Sequence, residues 1–222
     1  MRVLLASHFF PPARNAGTEN YTLGVARALV RRGHDVEVLC AGDWERGAVY
    51  WNGVSEDRHE GVHVHRVNLN WTRAGDPNRV LYDSALVSEW LEGWLPARKP
   101  DVVHVTSAMT LGLGLLEVPW RQGIPTVLTL MDFWFLCPRT VLMRGDGSLC
   151  DGRTTPAECL HCVLQRSTMY RRAVARLGEP LAARLWGAAA RTRWTARRRG
   201  LRGMALDMRE RKDSMRDALS RP

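Results

Sequence analysis

The chain has 222 residues, 45% of them hydrophobic, which is enough to bury a substantial core and excludes a disordered chain. Its net charge of +9 is unevenly spread: residues 1–165 carry 16 Lys and Arg against 18 Asp and Glu, whereas residues 166–222 carry 16 against 5. The apolar start is broken by Ser7 and His8 and stopped by Pro11 and Pro12, too short for a secretory core or a membrane span, so a cytoplasmic protein is expected.

In chain order, short apolar runs alternate with amphipathic stretches, which predicts an α/β fold, a doubly wound parallel sheet covered by helices. Val3–Ala6 reads as the first strand. After a loop of about ten residues a helix opens at Glu19, with Tyr21, Val25, Ala28 and Leu29 at helical spacing, and Gly33 closes it. Asp35–Cys40 and Val62–Val67 read as the next strands. Arg79–Leu95 reads as a helix ended by Pro96. Val102–Val105 is an apolar run typical of a strand buried on both faces. A helix over about Leu111–Gln122 and a strand over Thr126–Leu130 complete the alternation.

From Met131 to about Gln165 the chemistry changes to loop residues, aromatics and cysteines. Residues 1–165, including a Cys-rich loop over 137–162, are expected to form one domain, and 166–222 an Arg-rich helical tail with breaks at Gly178, Gly187, Gly200 and Gly203. Leu181, Leu185, Ala188 and Ala189 keep one apolar stripe on that tail. Its basic surplus fits a solvated helical face, an anionic membrane surface or, less readily, nucleic acid.

A doubly wound sheet binds ligands beyond the carboxyl ends of its strands, which directs attention to the loop Ser7–Thr18. It lacks a Gly-x-Gly-x-x-Gly turn, which disfavours a nicotinamide or flavin enzyme. It does bring Asn15, Ala16, Gly17 and Thr18 to a helix amino-terminus, where N–H groups and the helix dipole favour a phosphate; simple helix entry explains the same Gly. His34, beyond a helix-ending Gly, reads as a carbonyl-binding residue, and His104, within a strand, as a satisfied core residue. Phe133, Trp134, Phe135 and Trp120 suit either sugar stacking or core packing. Trp186 and Trp194 suit either a membrane interface or a domain interface.

Cys137, Cys150, Cys159 and Cys162 fall within 26 residues and end in a Cys-x-x-Cys pair. A tight-turn knuckle there would place two thiolates on one side, as a closed tetrahedral zinc site requires, and the other two complete it, with His161 as a substitute. Free thiols and an iron–sulfur cluster are the alternatives. The metal would be structural, since the loop has few apolar residues to hold it.

The opening run MRVLLASHFFPPARNAGTENYTLGVARALVRRGHDVEVLCAG resembles the start of family 4 glycosyltransferases. KPDVVHVTS and GIPTVLTLMDFWFLCPR resemble later strands of the same domain, and DFWFLCPR followed by spaced cysteines is similar to one subgroup. The likeness recurs weakly in MRERKDSMRDAL. It implies the amino-terminal, Rossmann-like, acceptor-side domain of a GT-B enzyme that transfers a sugar with retention from a nucleotide sugar to a glycan or lipid-linked acceptor, without a catalytic cofactor. Ala16 and Gly17 match the Gly-Gly pair beside the donor phosphates, with an extra methyl at Ala16. Asp132 matches an acid after the fifth strand, where a turn residue is the alternative reading. Met131 stands where many members have His and offers no useful hydrogen bond to a sugar hydroxyl.

Family members continue into a donor domain, so this chain is expected to be inactive alone. The alternative is a non-catalytic, zinc-stabilised binding module for an anionic membrane or nucleic acid, held at the inner face of the membrane in the first case.

Overall fold

Strand β1 (Arg2–Ser7) is the centre of a six-stranded sheet, flanked by β2 (Asp35–Ala41) and β5 (Val102–Val105). The sheet order is β3-β4-β2-β1-β5-β6, where β3 is Trp51–His59, β4 is Val62–Leu69 and β6 is Thr126–Leu128. Every pairing is parallel except β3 with β4. The parallel strands run outward in both directions from β1, which leaves the carboxyl ends of β1 and β5 side by side at the change of direction. This is a computed structural model, which describes residues 1–76, 78–165, 168–178, 180–182, 184–185 and 201–220.

The chain forms two compact units, Met1–Met131 and Asp132–Pro222. In the first, helix α1 (Gly17–Arg31) lays Leu23 and Ala26 on Val3, Leu5, Val36, Val38 and Val64, one alternating face of the strands. Thr22 Oγ1 meets Thr106 Oγ1 at 2.7 Å, which fixes the helix against the loop after β5. Gly33, at φ +80°, ends the helix in the conformation that glycine adopts without strain.

The sheet departs from the sequence-based expectation at β3, a strand that the sequence did not reveal. Its exposed residues Glu56, Asp57 and Arg58 give no apolar alternation. It is created by the hairpin turn at Glu60 and Gly61, at φ +50° and +84°, a pair that suits the right-handed twist of the flanking strands.

Pro96 does not end the next helix. A short 3-10 turn (Arg79–Leu81) precedes α2 (Ala85–Arg98), which runs past Pro96 to Lys99. Proline supplies no N–H for the Glu92 carbonyl four residues back, and Gln122 Nε2 donates to that carbonyl instead, at 3.1 Å. Gln122 follows α3 (Gly114–Arg121), so the proline is accommodated by the neighbouring helix. In β5 only Val103 and Val105 are buried, and Val102 and His104 are half-buried, so the strand is covered more fully on one face than expected.

The second unit begins with turns. Trp134 N–H donates to Asp132 Oδ1 at 2.7 Å, and a small bridge joins Met143 to Leu149 across a turn held by Asp146 and Ser148. Helix α4 (Pro156–Leu164) starts from Thr155, whose hydroxyl accepts from Glu158 N–H, with Pro156 in the first turn. Its Cys159, Leu160 and Leu164 pack with Tyr170 of α5 (Thr168–Leu177) and Met208 of α6 (Leu201–Ser220). This packing groups the cysteine segment with the tail helices, where the sequence suggested a boundary at 165. Gly178 ends α5 at φ +73°. Gly203 lies inside α6, while Gly187, Ala188, Ala189, Gly200, Trp186 and Trp194 fall outside the described residues. Among the described residues, no helix is long and apolar enough to cross a membrane.

Candidate functional site

The loop from His8 to Ala16, at the carboxyl end of β1, is built around Arg66 of β4. Arg66 is 9% exposed and donates to the Phe10 carbonyl at 3.1 Å and the Pro11 carbonyl at 2.8 Å, while its Nε pairs with Asp57 of β3. Burial is the largest single influence and works against its charge, but the hydrogen bond and charge of Asp57 together with the contact to Cys40 outweigh it, so its pKa stands above the ordinary arginine value. Cys40 Sγ lies 3.6 Å from the same guanidinium; burial still dominates and pushes its pKa up to about 12. Cys40 is therefore a protonated core thiol and not a nucleophile.

Ala16 and Gly17 sit at the start of α1, Ala16 as the N-cap in extended conformation and Gly17 as the first helical residue, both exposed. Alanine has no side-chain acceptor for a capping box, so only the reverse half forms: Glu19 Oε2 accepts from Ala16 N–H at 3.2 Å. Glu19 is 2% exposed, and its other oxygen lies 3.3 Å from His8 Nε2. The space a Cβ would occupy at Gly17 is open. The first-turn N–H groups of a 15-residue helix thus face the mouth of a loop fixed from beneath, an arrangement suited to an anion. Beside it, the loop after β5 carries Thr110 at φ +74° and Gly112 at φ +88°, where a side chain would crowd Ser84 N and Tyr82 O.

The histidines singled out from sequence take structural places. His104 Nε2 bonds Thr129 Oγ1 at 2.8 Å, and burial lowers its pKa. At His34 the backbone N–H donates to the Leu29 carbonyl at 3.2 Å, so the main chain makes the carbonyl contact expected of that residue. His161 contacts the Tyr170 hydroxyl at 2.7 Å and Gln165 Nε2 at 3.2 Å, so a role as metal ligand would cost it those partners.

In the second unit Asp132 is exposed and caps the Trp134 turn. Trp134 and Phe135 are buried and meet edge to face at 5.0 Å, whereas Phe133 is exposed; Arg211 of α6 lies over the Trp134 ring and donates to its carbonyl. In the first unit Trp120 is exposed.

Cys137, Cys150, Cys159 and Cys162 all line one cavity of about 740 Å³. Cys159 and Cys162 are three apart on α4, so a helix face and not a tight turn brings them together. Gly152 N–H donates to Cys150 Sγ at 3.4 Å, Thr154 Oγ1 contacts Cys159 Sγ at 3.0 Å, and Arg139 donates to Cys162 Sγ at 3.4 Å. Thiols of this kind suit zinc, but no three of these four sulfurs lie within 4.8 Å of one another, so the structure does not bring them together as the expected four-ligand site. The cavity is far wider than one tetrahedral ion needs, so closing on a metal would draw the 137–155 segment inward.

The family described as "Glycosyl transferase 4-like domain" matches residues 16–218. The chain is similar to the GDP-mannose-dependent alpha-mannosyltransferase of Mycolicibacterium smegmatis, 34% identical over 127 residues that make up 57% of this chain and 31% of that protein. It is 32% identical to the enzyme of the same description from Mycobacterium tuberculosis over 132 residues, again 57% of this chain and 31% of that protein. The catalytic domain of starch synthase IV from Arabidopsis thaliana, bound to ADP and acarbose, aligns at 18% identity with a TM-score of 0.37, over 57% of this chain and 32% of that one. The chain spans about a third of the length of the curated relatives it matches. With a match that begins at Ala16 and runs through both units, the chain belongs to the glycosyl transferase 4-like domain family.

Proposed function

We propose that this chain is the acceptor-side domain of a retaining glycosyltransferase whose donor is a nucleotide sugar of the GDP-mannose class and whose acceptor is a glycan or a lipid-linked glycan. The observation that carries the reading is the exposed amino-terminus of α1 at the end of β1, in a chain of this family. In this role the N–H groups of Gly17 and Thr18 receive the donor diphosphate, and the helix dipole stabilises the charge that grows on it as the sugar leaves. Arg66 and Glu19 hold the loop in place before the donor arrives, so little ordering is left to the reaction. Met131 contributes packing only.

The match covers 31% of each relative, and in this reading turnover belongs to this domain together with a donor-binding partner domain. A zinc ion on Cys137, Cys150, Cys159 and Cys162 has a structural role and takes no part in transfer.

Amide NMR tests the reading. Titration of the chain with GDP and GDP-mannose should shift the Gly17–Asn20 resonances, and mannose alone should not. Gly17→Val has room to fold, because its Cβ meets open space, yet places a branched side chain at the mouth and should abolish the shifts. Sugar transfer by the chain alone should stay at background. Unmoved Gly17–Asn20 resonances at millimolar GDP-mannose would overturn the assignment.

A further inference from the structure

A second group of polar side chains lies on the sheet face opposite α1, away from the strand ends discussed above. Strand register assembles it. Glu37 of β2 is paired with His63 of β4, His63 and His65 are two apart and share a face, and Glu56 of β3 is paired with His65. His65 is fully buried, with its ring edge-on to Trp94 of α2 at 4.9 Å and 4.4 Å from the His63 ring. Its two nitrogens are both engaged by carboxylates, Nε2 with Glu37 at 2.6 Å and Nδ1 with Glu56 at 3.1 Å. The other oxygen of Glu56 lies 3.2 Å from His63 Nε2, and Arg98 of α2 donates to Glu56 at 3.1 Å.

One ligand atom from each of Glu37, His63 and His65 lies within 4.8 Å of the other two. We infer that these three residues form a binding site for a divalent transition-metal ion of the zinc class, held between β2 and β4. Two imidazoles and one carboxylate are the donor set that such an ion takes with a further position for water. Glu56 then has the place of an outer partner. It accepts the Nδ1–H of His65, which fixes the tautomer that presents Nε2 toward Glu37 and raises the basicity of the ring.

Glu37 and Glu56 are the carboxylates facing the histidines, and Arg98 and Arg58, the latter opposite His63 in register, are the cations on the same face. Glu37 and His63 are partly exposed and give the site its contact with solvent, while His65 is buried. The ion would tie the β3–β4 hairpin to β2. That hairpin also carries Arg66 and Asp57, which hold the β1 loop, so the metal would stiffen the elements beneath it.

A zinc ion is also proposed at the thiols of the second unit, so the test must separate the two. Cobalt(II) titration of the whole chain, followed by absorbance, does this because thiolate ligands give intense charge-transfer bands and His/Glu ligands do not. We expect two classes of bound ion, one with thiolate bands and one without. His63→Gln and Glu37→Gln, both at partly exposed positions and so able to fold, should each remove the class without thiolate bands and leave the other. Cys159→Ser should do the reverse. Zinc should displace cobalt from both. Absence of any cobalt bound outside the thiolates at about micromolar free metal, or its survival in both the His63→Gln and Glu37→Gln chains, would overturn the site.

Discussion

Replacing Arg66 by Met tests whether the β1 loop is held from beneath. The methionine keeps most of the apolar volume and removes the donors to the Phe10 and Pro11 carbonyls and to Asp57. Phe10 is fully buried and Pro11 is buried, so their carbonyls have little access to replacement water. Each charge-assisted bond lost to a buried acceptor costs roughly 1.5–3 kcal/mol. Asp57 is 44% exposed, so breaking its ion pair adds only about 0–1 kcal/mol. The sum, about 3–7 kcal/mol, is a large share of the roughly 5–15 kcal/mol that stabilises a domain. Because the chain has two units, hydrogen exchange read on peptides of β1 and β2 in rising urea is the suitable assay. Asp57→Asn should stay within about 1 kcal/mol of the parent. Arg66→Lys should fall between, since a single ammonium cannot span both carbonyls in Arg geometry. A loss below about 1 kcal/mol in Arg66→Met would refute the clamp.

Cys40 gives a pH prediction. Between its ordinary value of 9.0 and about 12 the unfolded thiol has lost its proton and the folded one has kept it, so stability falls as pH rises, by at most about 1.4 kcal/mol per pH unit. The decline should be shallower in Cys40→Ala, and parallel curves for the two proteins above pH 9 would show that the thiol is not the cause. For the cysteine cavity, zinc should raise the urea midpoint of the second unit and EDTA should lower it; Cys159→Ser should erase this response and Cys40→Ser should keep it. Residues 166–222 carry 16 basic against 5 acidic residues, and each Arg near an anionic bilayer contributes on the order of 1 kcal/mol, so the chain should sediment with anionic vesicles at low salt, less at high salt, and not with neutral ones. Equal recovery in the supernatant with both lipids would remove the membrane proposal.

The parallel core was legible because its strands announce themselves. Val36, Val38 and Cys40 repeat every second residue, and Gly33 marks a helix end that the structure places at φ +80°. β3 was not legible, since its stability comes from pairing with β4 and from the Glu60–Gly61 turn and not from burial of its own side chains. Pro96 misled for a related reason. A proline usually closes a helix when nothing replaces the bond it removes, and here Gln122, 26 residues later in the chain, replaces it. Local pattern reports local causes, and both departures have causes elsewhere in the sequence.

The same distinction runs through the candidate sites. Ala16, Gly17 and Asp132 were visible because a loop after a strand and an acid after a strand are contiguous signals. Arg66 was not, although it bonds two carbonyls of the loop; nothing in VHVHRVNL says that the arginine turns toward Phe10 and Pro11. The alternating histidines of that strand were a signal in plain view, since residues two apart on a strand share a face. Their meaning depended on Glu37 standing opposite in register and on an unrecognised strand that supplies Glu56. The cysteines invert the case: their clustering was obvious, yet Thr155, Pro156 and Glu158 start a helix there, so that Cys159 and Cys162 reach the cavity from a helix face. An i, i+3 pair on a helix is spaced more widely than a turn knuckle. A metal bound there must therefore recruit Cys137 and Cys150 by moving their loop, which makes that loop the part of the second unit whose exchange protection zinc should change most.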